Sequence, residues 1–125
     1  MVEPAYLLDT KICIYLLRGE SAAAAGEVQR CSEGEIVTSA ITCAEVMIGA
    51  RAEGGERDAE AFFRLFPALP FDGAAAHAYA GLPFRRGSFD RLIAAHALAL
   101  GLTLVTNNER DVADIPGLAV ENWAR

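Results

Sequence analysis

An α/β domain built on a central, mostly parallel sheet is the fold class this sequence predicts, and three observations predict it. Short apolar or β-branched runs alternate with stretches of helical periodicity. The helical stretches run to ten or more residues, long enough for right-handed crossovers between parallel strands. The 125 residues, 53% of them hydrophobic, suffice for one core and are too few for a separate cofactor domain. Residues 1–125 are therefore expected to form a single domain.

The elements follow in order. Ala5-Tyr-Leu-Leu8 reads as a strand ending in Asp9-Thr10, after which Ile12, Tyr15 and Leu16 recur at helical spacing. Glu35-Ile-Val-Thr-Ser39 is a second strand, and a helix over Thr42–Arg51 follows, with Thr42-Cys-Ala-Glu45 matching a capping box. Gly54-Gly55 breaks it from another helix, Glu56 to Phe66, which stops before Pro67. Leu69–Phe71 reads as a short strand. Ser88 or Asp90 opens a helix through Leu100, Gly101 caps it, and Leu102–Thr106 and Leu118–Val120 are the remaining strands.

Composition narrows the function. Mean hydropathy of +0.23 with 22% charged residues excludes disorder and leaves apolar surface for a partner or a second copy. The longest clean apolar run, Ile12–Leu17, is too short to span a membrane, and no basic patch or cleavage site marks the N-terminus, so a cytoplasmic protein is expected. Cys13, Cys31 and Cys43 fit neither a disulfide framework nor a zinc pattern and read as buried thiols. Seventeen acids against eleven bases give a net charge of −6, which argues against a broad DNA-binding face. Ten of the bases are Arg, and Arg85, Arg86 and Arg91 form the densest cluster available to a phosphate.

The acids gather where strands end. Asp9 follows the first strand, Glu45 lies just inside the next helix, Asp90 begins the helix before the Leu102 strand, and Asn108, Glu109 and Asp111 come after that strand. In parallel α/β sheets ligands bind at the carboxyl ends of the strands. Carboxylates converging there from separate elements suit a hard divalent cation, Mg²⁺ or Mn²⁺, and through it phosphodiester hydrolysis. Each acid also has a structural reading: Asp9 as a helix cap, Glu45 as half of a capping box, Asp90 as a first-turn acid, Asp111 as a solvated loop residue.

Four ordered segments then resemble the PIN-domain ribonucleases, most of all the VapC toxins of bacterial toxin–antitoxin pairs. They are Leu7-Leu-Asp-Thr10; Ser39-Ala-Ile-Thr-Cys-Ala-Glu-Val46; Phe89-Asp-Arg-Leu-Ile-Ala-Ala-His-Ala97; and Val105-Thr-Asn-Asn108 with Pro116-Gly-Leu118 and Glu121-Asn-Trp123. The resemblance implies a three-layer domain with helices on both faces of the sheet. It places Asp9, Glu45 and Asp90 at the family's metal-binding acids and the Thr106–Asp111 segment at its fourth position, to be filled by Asn108 or Asp111. It further implies a metal-dependent endoribonuclease that cuts structured RNA (tRNA or rRNA), a homodimer, a cognate antitoxin, and operator DNA reached only through that antitoxin. Departures are Lys11 where the family usually has Asn, a shortened Asp72–Gly87 stretch, and Val112 in place of an aromatic core residue. A chain whose metal site was lost through Lys11 and Asn108 would instead be a non-catalytic interaction subunit, and an RNA-processing nuclease is the other alternative.

Other chemistries find no support. The haloacid dehalogenase pattern wants an acid where Lys11 stands, a receiver domain needs an acidic pair near the first strand, and no phosphate loop or dinucleotide fingerprint is present. Neither Ser39 nor Ser88 has a histidine in a suggestive context; His96, mid-helix among alanines, reads as a core residue. Phe62, Phe63 and Phe66 read as core or interface rather than a base-stacking platform, Trp123 as packing for the last strand, and Ile12, Tyr15 and Leu16 as an apolar helix face.

Overall fold

The computed structural model describes residues 2–125; Met1 lies outside the described residues. Strand β1 (Tyr6–Leu8) leads into helix α1 (Thr10–Arg18), then α2 (Ala22–Gln29), β2 (Ile36–Ser39), α3 (Ala40–Glu53), α4 (Glu56–Leu65), β3 (Ala68–Leu69), α5 (Gly73–Ala80), α6 (Phe89–Leu100), β4 (Thr103–Val105), a 3-10 turn (Glu109–Val112) and β5 (Val120–Glu121). The sheet order is β3-β2-β1-β4-β5, and every pairing is parallel.

Alternation along the short central strands divides the core in two. Leu8, Ile36 and Val105 face one side, where they meet Ile12, Val46, Phe62 and Trp123. Leu7, Val37 and Leu104 face the other and meet Ile93, Ala94, Ala97 and Ile115. A sheet covered on both faces needs apolar residues at consecutive positions, which is why these strands read as continuous runs rather than alternating ones. The arrangement is the three-layer one that the resemblance implies.

Four sequence expectations shift. The Leu69–Phe71 strand falls at Ala68–Leu69, and the Leu118–Val120 strand at Val120–Glu121. Helix α3 starts before Thr42: Ser39 is its cap, accepting from the Ile41 amide at 3.1 Å, so Thr42-Cys-Ala-Glu45 is not a capping box and Glu45 is left free for another role. Of the three cysteines only Cys13 is buried; Cys31 and Cys43 are partly exposed. Two helices, α2 and α5, have no apolar stripe to announce them: Ala24 and Ala75 are their only buried residues, and both are small enough for backbone to pack against backbone. Among the described residues no helix is long and apolar enough to cross a membrane.

Candidate functional site

The strand order reverses between β1 and β4, because the chain winds from β1 out to β3 and then returns to β4 on the opposite side of β1. A crevice opens beyond the carboxyl ends of two strands whose following connections diverge to opposite faces. Asp9 and Thr106 stand there, the first residues after β1 and β4, with the Asp9 amide still bonded to the Val105 carbonyl at 3.0 Å.

Asp9 is 4% exposed. Its Oδ1 accepts from the Ile12 amide at 2.9 Å, capping α1 as the sequence suggested, and the Thr106 side chain also bonds to it. Burial nevertheless pushes its carboxyl up to about 6, and the neighbouring charge of Asp90 adds to the rise against those two hydrogen bonds. The cap uses one carboxylate oxygen of Asp9, so capping and site roles can coexist. Lys11 is exposed and exerts the weakest of the five influences on Asp9, so it does not plug the pocket.

Asp90 sits in the first turn of α6, one residue inside the helix that Ser88 caps. Asn108, two residues past Thr106, donates its amide group to Asp90 Oδ2 at 3.3 Å and to Asp111 Oδ2 at 2.5 Å, while its own backbone amide donates to Thr106 Oγ1 at 2.9 Å. Three of the expected residues, Asp90, Asn108 and Asp111, are thus tied together beside Asp9. Glu45 approaches from α3: its Oε1 accepts from Thr10 Oγ1 at 2.6 Å. Thr10 has a single hydroxyl proton, spent on Glu45, so the buried Thr42 hydroxyl 3.2 Å away is the donor in that second contact. Glu109 is not part of the group; it accepts from Asn122 and Arg125 at the C-terminal edge. Among the described residues no three His, Cys, Asp or Glu side chains close into a ligand cage on their own. The site is an open set of oxygens with one buried acid at its centre.

A sequence profile of the PIN domain matches residues 6–118. The chain belongs to the PIN domain family. Within it, the chain is 33% identical over 132 aligned residues to the tRNA(fMet)-specific endonuclease VapC of Shigella flexneri, covering 95% of this chain and 98% of the relative. Two solved complexes share the fold closely: VapBC2 from Rickettsia felis bound to a DNA fragment from their promoter (TM-score 0.84, 27% identity, 95% of this chain and 98% of that one), and VapBC-1 from nontypeable Haemophilus influenzae (TM-score 0.82, 29%, 97% and 99%). The likeness to VapC proteins therefore runs the full length of this PIN domain.

Sequence reasoning missed the residues that hold the acids in place. The hydroxyls of Thr10, Thr42 and Thr106 carry no motif of their own; their signal is adjacency to an acid or a strand end. The Arg85/Arg86/Arg91 cluster is not free for phosphate as a unit. Arg91 is 4% exposed and donates to Asp114 at 2.9 and 3.2 Å and to the Pro83 carbonyl at 2.9 Å, and Arg85 meets the same Asp114 at 3.2 Å. Ser39 does have a histidine partner: His96 Nδ1 lies 2.9 Å from its Oγ. Both residues are at most 1% exposed, which makes the pair a buried tie between β2 and α6 rather than a nucleophile and its base.

Proposed function

We propose that this PIN domain, residues 1–125 acting as one unit, is a divalent-metal-dependent endoribonuclease and the toxin of a toxin–antitoxin pair, cutting structured RNA, a tRNA or an rRNA, to arrest translation in the cytoplasm. The observation that carries the reading is the convergence of Asp9, Asp90, Asn108 and Asp111, with Glu45 alongside, at the point where the sheet changes direction. The fit to a hard cation rests on the donor set: every group is an oxygen or amide ligand, and the central acid is short of compensating positive charge. Asp9, Asp90 and Glu45 would hold Mg²⁺ or Mn²⁺. Asp111 would supply the fourth charge, which the neutral Asn108 amide cannot, while Asn108 donates to both Asp90 and Asp111. A divalent ion in such a site lowers the pKa of bound water and neutralises charge on a phosphodiester.

The chain's own residues perform the positioning. The Ile12 amide and Thr106 hydroxyl fix the Asp9 carboxylate, Thr42 and Thr10 relay a fixed rotamer to Glu45, and Asn108 spaces two acids that would otherwise repel. A cognate antitoxin would neutralise the pocket with a basic side chain, the chain would pair as a homodimer, and operator DNA would be reached through the antitoxin; the similarity to VapBC2 from Rickettsia felis, solved bound to a promoter DNA fragment, supports an assembly of toxin, antitoxin and DNA. The test is incubation of antitoxin-free protein with total cellular RNA in Mg²⁺ or Mn²⁺, beside EDTA and Asp90→Asn. Discrete fragments absent from both controls are expected; intact RNA in every lane overturns the reading.

A further inference from the structure

The loop between α5 and α6 is tightly held and yet carries a ring with nothing behind it. Arg91 reaches back from α6 to the Pro83 carbonyl and to Asp114, and Arg85 closes on Asp114 and on the Asp111 carbonyl at 3.4 Å. The Pro83 carbonyl, through Arg91, and the Arg85 side chain, directly, thus tie both flanks of residue 84 to the 111–114 segment. Between the pins Phe84 is 98% exposed. Arg86 belongs to none of the ion pairs among the described residues. The fold asks for neither side chain: Ser88 caps α6, and Leu82 supplies the loop's apolar contact with the core. A phenylalanine left wholly in water forfeits the burial that places most such rings inside.

Its position gives it a use. Phe84 and Arg86 precede Asp90 by six and four residues, and Arg85 touches the backbone of Asp111, whose carboxylate shares the Asn108 amide with Asp90. The loop is the rim of the acidic pocket. A polyanion approaching that pocket in a chain of net charge −6 needs positive charge just outside the carboxylates, and Arg86, unlike the Asp114-bound Arg85, is outside every ion pair among the described residues and can supply it. A ring beside a free guanidinium suits an unpaired base with its phosphate, since stacking accepts any base and Arg grips phosphate in a bidentate way. A second copy of the chain fits less well, because a two-fold contact through this loop would bring both Arg85-Arg86 pairs face to face.

We propose that Phe84 and Arg86 form a substrate lip: Phe84 stacks on an unpaired base and Arg86 holds a neighbouring phosphate, guiding a looped-out stretch of RNA over Asp90. The lip rests on the nuclease reading above. It is tested in the full chain carrying Asp90→Asn, by fluorescence anisotropy with a labelled single-stranded RNA oligomer. Phe84→Ala is expected to weaken binding roughly tenfold, with Phe84→Trp restoring it. Arg86→Ala should weaken binding and also flatten its salt dependence by about one phosphate. Leu65→Ala, which removes an exposed apolar side chain on α4, should leave RNA affinity where it was. In the active chain the loss should appear in KM for RNA cleavage. A parent chain that cuts no RNA removes the nuclease reading and the lip with it. A parent that cuts normally beside Phe84 and Arg86 variants that bind and cut equally well removes the lip alone. So does a Phe84→Ala chain that changes its sedimentation while keeping its RNA affinity, which would make the loop a contact between copies.

Discussion

Asp9 has two duties that pull in opposite directions. As a cap it stabilises α1, and as a buried acid it destabilises the fold once ionised. Its folded pKa of about 6 lies above the ordinary 3.8, so the native state keeps its proton over a range where the unfolded chain has released it. Stability therefore falls as pH rises from about 4 to about 6 and stays reduced above that, by on the order of 3 kcal/mol for a shift of this size. Asp9→Asn keeps the oxygen that caps α1 and removes the charge. Metal-free Asp9→Asn should thus melt above the parent at pH 7.5, lose that advantage on acidification, match it near pH 4, and cut no RNA. A variant no more stable than the parent at pH 7.5 would show that the carboxylate is not held in a charge-starved pocket. Sequence alone pointed to Asp9, Asp90 and Glu45 because acids after strand ends carry a positional signal. It could not point to Thr10 or Thr42 as supports of Glu45, since which hydroxyl meets which acid depends on helix α3 crossing α1.

At the scale of elements, legibility followed side-chain size. Helix α6 was readable because Ser88, Gly101 and a run of apolar residues all agree with its bounds; Gly101 takes φ 70°, a conformation that favours glycine at a helix end. Helices α2 and α5 were not readable, because alanine carries neither a polar nor a strongly apolar signal and their contacts are made by backbone proximity. Strand β3, two residues long, lies below what periodicity can resolve, and its place is fixed by pairing with Thr38 and Ser39. The alanines make a direct prediction. Ala75 is fully buried where α5 packs on α6, and Ala76 beside it is exposed. Ala75→Leu should destabilise the chain by about 1–3 kcal/mol in urea unfolding, and Ala76→Leu should be near neutral. Equal effects would mean that α5 does not seat through that face.

For the whole molecule, the topology explains why acids scattered from residue 9 to residue 111 converge. Each lies within six residues of a strand's carboxyl end or in the first turn of a helix, and parallel pairing with crossovers brings those ends to one edge. The class and the edge were legible from alternating elements. The strand order was not, because tertiary pairing sets it. The buried Arg91–Asp114 clasp was hidden as well: in sequence Arg91 reads as one more base in a basic cluster, and only the folded chain shows it holding the α5–α6 loop against the 111–114 segment. Net charge −6 looked adverse to a nucleic-acid enzyme, yet a site built of acids entails it, and the proposed cation and Arg86 would be left to meet the phosphates. The most direct measurement of this account is calorimetric titration of Mn²⁺ into the metal-free chain, the parent beside Asp9→Asn and Asp90→Asn. The account predicts saturable binding in the parent that is lost in both variants; no binding in the parent, or binding unchanged in the variants, would contradict it.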